Sequence, residues 1–146
     1  MNMVKQINFD MDGTIADLYG VEGWLSDLRA EKTRPYREAR PLLNMSVLAR
    51  RLHKLQAAGW KIVVISWTSK ESTAEYDKLV RIAKLWWLHK HLPSIVWDEI
   101  QIVAYGTPKH EIGKGILFDD NEDIRTEWGD NAYDVNDILT ILKGLI

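Results

Sequence analysis

The stretch Ile7-Asn8-Phe9-Asp10-Met11-Asp12-Gly13-Thr14-Ile15-Ala16-Asp17 is the part of this sequence that most constrains its fold and chemistry. A short apolar strand leads directly into two carboxylates one residue apart, and a glycine, a hydroxyl and a third carboxylate follow. A turn after a strand needs only one Asp or Asn, with a glycine after it. Clustered acids repel one another unless a cation neutralises them. Three acids within eight residues therefore indicate a metal-dependent active site.

The composition of the 146-residue chain is that of one globular domain, with 46% hydrophobic and 27% charged residues. A net charge of −2 argues against stable binding to nucleic acid but allows a small anionic substrate. The absence of cysteine excludes disulfides, thiolate metal sites and cysteine nucleophiles. Residues 1–5 lack the apolar run of a signal peptide, and no window approaches the ~18 apolar residues of a membrane span. We therefore expect a cytoplasmic protein without membrane association.

Strand and helix patterns alternate along the chain. We predict strands at 4–9, 60–65, 99–105, 116–118 and 132–135, and helices at 44–58, 73–90, 121–128 and 135–145. Asn44 or Ser46, the capping-box pair Ser72 and Glu75, and Asn136 are the expected helix caps. Alternation of this kind implies right-handed βαβ crossovers. The prediction is a single domain, 1–146, with a Rossmann-like three-layer α/β/α sandwich around a parallel sheet of about five strands.

The segment 18–41 does not fit the alternation and is predicted to be a small insertion over the strand ends, like a minimal cap. Val21 to Ala30 has the spacing of a short helix, and the charged stretch from Glu31 to Arg40 is expected to be broken by Pro35.

Polar side chains follow four of the predicted strands: Asp10 and Asp12, then Ser66, then Lys109, and finally Asp119 and Asp120. In open α/β sheets ligands bind outside the carboxyl ends of the strands, so these side chains are expected to form one site. Carboxylate oxygens suit Mg²⁺, and the lack of cysteine and of a histidine cluster argues against zinc. Carboxylates, a dication, a hydroxyl and a lysine together favour phosphoryl transfer, with one carboxylate as nucleophile and another as general acid and base.

The same residues resemble the four motifs of the haloacid dehalogenase (HAD) superfamily. Asp10-Met11-Asp12-Gly13-Thr14 resembles its first motif, Ser66 its second, Lys109 its third, and Asp119-Asp120 the variant of its fourth with adjacent acids. Within the superfamily, the 5'(3')-deoxyribonucleotidase group is the most similar in pattern. That likeness depends on Ala16-Asp17, Ser66-Trp67-Thr68-Ser69, the lysine ten residues before the acidic pair, and Leu117-Phe118-Asp119-Asp120-Asn121.

The resemblance implies a role for each motif residue. Asp10 would be the nucleophile and a Mg²⁺ ligand, and Asp12 the general acid and base, with its backbone carbonyl on the metal. Ser66 would hydrogen-bond the phosphoryl group, and Lys109 would neutralise the nucleophile and the phosphate. Asp119 would bind the metal, with Asp120 beside or behind it and Asp123 as a competing candidate. Gly13 and Thr14 would supply the tight turn and backbone donors to the phosphate.

The resemblance thus implies a Mg²⁺-dependent phosphomonoesterase that forms an aspartyl-phosphate, acting on a small phosphorylated substrate such as a nucleoside monophosphate. Trp67, Tyr19 and Trp24 lie near the expected mouth, where they would stack on a base or pack in the core. Nucleotidases usually carry a larger insertion than 18–41, so the open site would accept a polynucleotide end or a phosphoprotein, or would be closed by a second copy in a homo-oligomer. A receiver-like phosphoacceptor or a non-catalytic domain are the remaining alternatives.

Overall fold

A five-stranded parallel sheet organises the structure, a computed structural model that describes residues 4–146. The sheet strands are β1 (Gln6–Phe9), β4 (Lys61–Trp67), β5 (Glu99–Val103), β6 (Ile116–Phe118) and β7 (Ala132–Tyr133), and a separate pair is formed by β2 (Ala16–Asp17) and β3 (Arg40–Pro41). The strand order is β5-β4-β1-β6-β7, with helices on both sides of the sheet. The helices are α1 (Trp24–Arg29), α2 (Arg34–Glu38), α3 (Met45–Ala57), α4 (Ala74–His91), α5 (Glu122–Trp128) and α6 (Ile138–Leu145). The predicted fold class is confirmed.

Strand β1 lies at the centre of the sheet and carries the acidic loop at its end. It pairs in parallel with β4 on one side and with β6 on the other. All four of its residues are buried, including Asn8. The Asn8 amide donates to the carbonyls of Lys114 and Ile116, at 2.7 and 2.8 Å, so its burial leaves no donor unsatisfied. These bonds also fix the start of β6, and hence the position of the acids that follow it.

Helix caps differ from the prediction in two places. Helix α4 is capped by Thr73, whose hydroxyl accepts from the Tyr76 amide at 3.1 Å. The helix begins at Ala74, so Ser72 lies one residue before the cap. The Ser72 hydroxyl donates to the Ser69 carbonyl instead. Asn136 lies inside a 3-10 turn, Val135–Asp137, that precedes α6. Asp134 caps that turn.

The insertion consists of a 3-10 turn (Leu18–Gly20) and the helices α1 and α2, and the antiparallel pair β2–β3 closes its base. Pro35 does not break the segment as predicted. It occupies the first turn of α2, where a missing N–H breaks no intrahelical hydrogen bond.

Hydrogen bonds tie the insertion to the main body, including the three that follow. Thr73 Oγ1 donates to the Glu31 carboxylate at 2.9 Å, the Tyr76 hydroxyl donates to the Lys32 carbonyl at 2.6 Å, and the Tyr36 hydroxyl is bonded to Ser69. The insertion is therefore anchored at several points along its length.

The core extends from the sheet into α3, α4 and α6, and Trp87 of α4 is its largest fully buried side chain. The neighbouring Trp86 faces outward, with 46% of its surface exposed. Between residues 4 and 146, none of the helices combines the length and the apolar character that crossing a bilayer requires.

Candidate active site

A cavity of about 760 Å³ lies at the carboxyl ends of the strands, between the sheet and the insertion. Asp10, Asp12, Trp67, Thr68, Lys109 and Asp119 line its sheet side. Leu18, Tyr19, Trp24 and Leu28 line the side that belongs to the insertion. Residues about 110 positions apart in the sequence therefore border one space.

Asp10 is held by hydrogen bonds at its backbone and at its carboxylate. Its backbone amide donates to the Phe118 carbonyl at 3.0 Å, which extends the pairing of β1 and β6 by one residue. Its carboxylate accepts from Thr14 Oγ1 at 2.8 Å and from Lys109 Nζ at 2.9 Å. Both carboxylate oxygens are thus held by donors, and the orientation of a candidate nucleophile is fixed before any substrate binds.

Two further carboxylates lie close to Asp10. Oxygens of Asp10, Asp119 and Asp120 all lie within 4.8 Å of one another. Lys109 Nζ joins two of the three, since it also donates to Asp119 at 2.7 Å. Burial pulls the pKa of Lys109 down, but the charges of Asp10 and Asp119 outweigh it and raise that pKa overall. Lys109 is therefore a permanent cation at the centre of the cluster.

One lysine does not balance three acids. Burial, and then the charge of Asp10, raise the pKa of Asp119 to about 6 and that of Asp120 to about 8. Three oxygen donors and an excess of negative charge are what a hard dication requires, so the residues present fit Mg²⁺. Asp123 lies outside this cluster, exposed in the first turn of α5.

The Asp12 side chain takes a different direction. Its carboxylate is not part of the three-acid cluster and instead accepts from Lys84 Nζ at 2.8 Å. Burial raises the pKa of Asp12, and the neighbouring Lys84 opposes that rise without cancelling it. The two acids of the first motif are therefore separated, each with its own lysine.

Lys84 is one of the residues that were not predicted from the sequence. It lies on the buried face of α4, where a lysine is unexpected, and it also donates to Ser66 Oγ at 2.7 Å. Ser66 is completely buried and does not border the cavity. Ser66 Oγ accepts from Lys84 here, and its contact with a phosphoryl group stays a prediction.

Thr68, two residues later, borders the cavity. Within the described range 4–146, its Oγ1 is the buried side-chain oxygen without a hydrogen-bond partner. Its backbone is held firmly, because the Thr68 amide donates to the Val103 carbonyl at 2.8 Å. An unpartnered hydroxyl at the wall of a polar cavity is a candidate ligand for a phosphoryl oxygen.

Gly13 and Thr14 shape the acidic loop from within and do not border the cavity. Gly13 has a φ of +80°, and an added Cβ would overlap the Asp120 carboxylate. The amides of Gly13 and Thr14 donate to the carbonyls of Ala16 and Met11, at 2.8 and 3.1 Å, so the predicted backbone donors to a phosphate are already occupied. Thr14 Oγ1 accepts from the Asp120 amide at 3.1 Å, which links the first and fourth motifs.

Aromatic rings flank the mouth of the cavity on both sides. Trp67 lies against Tyr105, with ring centroids 4.9 Å apart, and its indole donates to the Thr107 carbonyl at 2.9 Å. Across the cavity, Tyr19 and Trp24 form a T-shaped pair, also at 4.9 Å. Tyr105 was not predicted, since it lies beyond a strand end with no motif around it.

Comparison with solved structures finds the same fold in a D,D-heptose 1,7-bisphosphate phosphatase from Burkholderia thailandensis. The two align with a TM-score of 0.60 over 97% of each chain, at 13% sequence identity. No protein-family model and no curated protein sequence matches the chain. The chain therefore shares its Rossmann-like α/β fold with that phosphatase, and this is the fold class predicted from the sequence.

Proposed function

We propose that the protein is a Mg²⁺-dependent phosphomonoesterase that acts through an aspartyl-phosphate on Asp10. The observation that carries the proposal is the arrangement at the end of β1. Asp10 is held by Thr14 and Lys109, within 4.8 Å of two further acids, while Asp12 is held apart by Lys84. The fold it shares with a phosphatase supports the same reaction class.

In this proposal Mg²⁺, when held by the Asp10, Asp119 and Asp120 carboxylates, supplies positive charge that offsets the charge of the phosphoryl oxygens. The Asp10 carboxylate attacks phosphorus, and the bond to the ester oxygen breaks. Asp12 gives its proton to that leaving oxygen and then takes one from the water that hydrolyses the aspartyl-phosphate. Lys109 reduces the repulsion between Asp10 and the incoming phosphate, and Thr68 donates to a phosphoryl oxygen.

The mouth of the cavity favours substrates with a planar group. A cavity of about 760 Å³ has room for a nucleoside monophosphate. The Tyr19–Trp24 pair and the Trp67–Tyr105 pair present aromatic surface on opposite sides of it, and such rings stack on bases. We therefore propose nucleoside or aryl phosphates as the preferred substrates, with phosphorylated ends of oligonucleotides as the second candidate because the mouth is open.

Phosphate release from a substrate panel tests the proposal. The panel contains nucleoside monophosphates, sugar phosphates, p-nitrophenyl phosphate and 5'- and 3'-phosphorylated oligonucleotides, each with Mg²⁺ and with EDTA. We expect release that requires Mg²⁺ and falls by about 10³-fold or more in Asp10→Asn. Borohydride added during turnover should reduce the aspartyl-phosphate on Asp10 to homoserine, which is detected by peptide mass spectrometry.

Asp123→Asn is the matched control for Asp120→Asn. Both change one carboxylate to an amide, but only Asp120 lies in the three-acid cluster. We expect weaker Mg²⁺ binding, measured by calorimetry, in the Asp120 variant alone. No Mg²⁺-dependent release from any substrate, or full activity in Asp10→Asn, would show that the proposed function is wrong.

A further inference from the structure

Lys84 is a charged residue at a core position. Its side chain is 1% exposed. It lies four residues after Val80 and four before Leu88, both of which are buried on the same face of α4. Burying an ammonium is unfavourable unless it is paired and hydrogen-bonded, and an apolar residue of similar volume often gives equal or greater stability. Stability alone therefore does not explain a lysine at this position.

The Lys84 ammonium has no capacity left for a substrate. A lysine has three N–H donors. In Lys84 they contact Asp12 Oδ2 at 2.8 Å, Ser66 Oγ at 2.7 Å and the Trp67 carbonyl at 2.7 Å. The Tyr36 ring lies on a further side, with its centroid 5.1 Å from Nζ. Lys84 does not border the cavity, so its effect on a substrate must pass through one of these partners.

Asp12 is the partner that borders the cavity with a functional group. The other two partners are a buried serine and a backbone carbonyl, both at the end of β4 and both fixed by the sheet. Lys84 thus ties the Asp12 carboxylate to a rigid strand end. That carboxylate lies outside the Asp10, Asp119 and Asp120 cluster.

We propose that Lys84 is a positioning residue that holds the Asp12 carboxylate in the orientation from which it gives a proton to the leaving oxygen. The inference rests on the proposed function and extends it to a residue outside the four motifs. Each of the two acids then has its own lysine: Lys109 binds the nucleophile Asp10, and Lys84 binds the general acid Asp12.

The leaving group of the substrate separates this role from a structural one. An alkyl phosphate such as a nucleoside monophosphate needs a proton on its leaving oxygen, whereas 2,4-dinitrophenyl phosphate does not. In Lys84→Met we expect kcat/KM to fall about 100-fold for the alkyl phosphate and to stay within about threefold for the dinitrophenyl ester. The ratio kcat/KM is the right quantity because it ends with transfer to Asp10 and excludes the later hydrolysis of the aspartyl-phosphate.

A double-mutant cycle provides a second readout. Once Asp12→Asn has removed the proton donor, adding Lys84→Met should cause no further loss on the alkyl phosphate. Lys78 is an exposed lysine on the same helix, so Lys78→Met is the matched control and should leave kcat/KM unchanged for both substrates. Mg²⁺ affinity by calorimetry should be unchanged in Lys84→Met, because Lys84 contacts none of the three clustered acids.

Circular dichroism and thermal melting first establish that Lys84→Met folds. If it does not, Ser66→Ala removes one of the three acceptors of Lys84. This variant should lower kcat/KM for the alkyl phosphate more than for the dinitrophenyl ester, by a smaller factor than Lys84→Met. Equal losses on both substrates, or additive losses in the double mutant, would overturn the positioning role. If the wild-type protein hydrolyses neither ester in Mg²⁺, the proposed function fails and the role of Lys84 falls with it.

Discussion

Replacing Thr68 by valine should make the protein more stable and less active. Thr68 is 3% exposed, and its hydroxyl oxygen makes no hydrogen bond within the described residues. Valine keeps the branched shape and removes the hydroxyl. Most substitutions near an active site lower stability and activity together, so opposite signs would be informative.

The magnitudes follow from the unpaired hydroxyl. A buried polar group without a partner costs about 1–3 kcal/mol, and Thr68→Val removes that cost in the substrate-free protein. At about 3 °C per kcal/mol for a chain of this size, the melting temperature should rise by roughly 3–9 °C. A hydrogen bond to a charged phosphoryl oxygen contributes about 1.5–3 kcal/mol, so kcat/KM should fall roughly 10- to 150-fold.

Differential scanning calorimetry in EDTA gives the stability, and phosphate release in Mg²⁺ gives kcat/KM. Ser66→Ala is the control, because its hydroxyl is also buried but is bonded to Lys84. Its removal leaves a donor of that lysine unpaired and should lower the melting temperature. If Thr68→Val melts below the wild type, or if it keeps full kcat/KM, the assignment of Thr68 as the phosphoryl ligand is refuted.

Three further predictions concern the clustered acids, the acidic loop after β1 and the mouth of the cavity. In EDTA the protein should lose stability as pH rises from 4 to 8, because Asp119 and Asp120, with pKa values raised to about 6 and 8, bind protons in the folded state that they release when unfolded. In thermal melts, Mg²⁺ should make stability depend less on pH. Stability that rises with pH in EDTA would contradict the raised pKa values of Asp119 and Asp120. Gly13→Ala should lower the free energy of unfolding, measured by urea titration, by about 1–3 kcal/mol because its backbone is left-handed, and by more because the new methyl group overlaps Asp120. Gly59→Ala is the control, since Gly59 has φ +94° and open space around it and should lose only the contribution from the backbone. Trp24→Ala should raise KM about 2- to 10-fold for a nucleoside monophosphate and leave glycerol phosphate unchanged, and an equal change for both would exclude stacking.

The clustered acids were predictable because their positions follow from simple rules. Asp10 and Asp119 each come directly after a short buried strand, and strands in a parallel sheet end at one edge. Their meeting within 4.8 Å requires only that the strands alternate with helices, which the hydrophobic pattern indicates. The bond between Lys109 and both acids agrees with the role that the motif resemblance implied.

Thr68 was missed for a reason that lies outside its local sequence. The apolar run ends at Ile65, so the strand was expected to end there, and Ser66 was matched to the second motif. Strand β4 continues to Trp67 because it pairs with β5, with Ser66 opposite Ile102 and Trp67 opposite Val103. Pairing with a distant strand thus decides which hydroxyl reaches the cavity.

Lys84 was missed because a lysine in a helix is assigned to solvent by default. The signal was its spacing of four residues from Val80 and from Leu88, which places it on the apolar stripe of α4. A charged residue in such a stripe indicates a buried partner, but the partner itself lies 72 positions earlier, at Asp12. No local pattern connects the two.

The anchored insertion has a consequence for how substrates enter and leave. Glu31, Lys32 and Tyr36 are each bonded to the start of α4 or to the loop before it, so the outer wall of the cavity is fastened at the residues that a hinged lid would have to release. We expect no closing step to precede phosphoryl transfer and no opening step to limit product release. Selectivity would then depend on which phosphates fit an entrance that is lined by aromatic rings and does not move. The rate of substrate association should change with ionic strength, and solvent viscosity should affect it less, because no segment has to move.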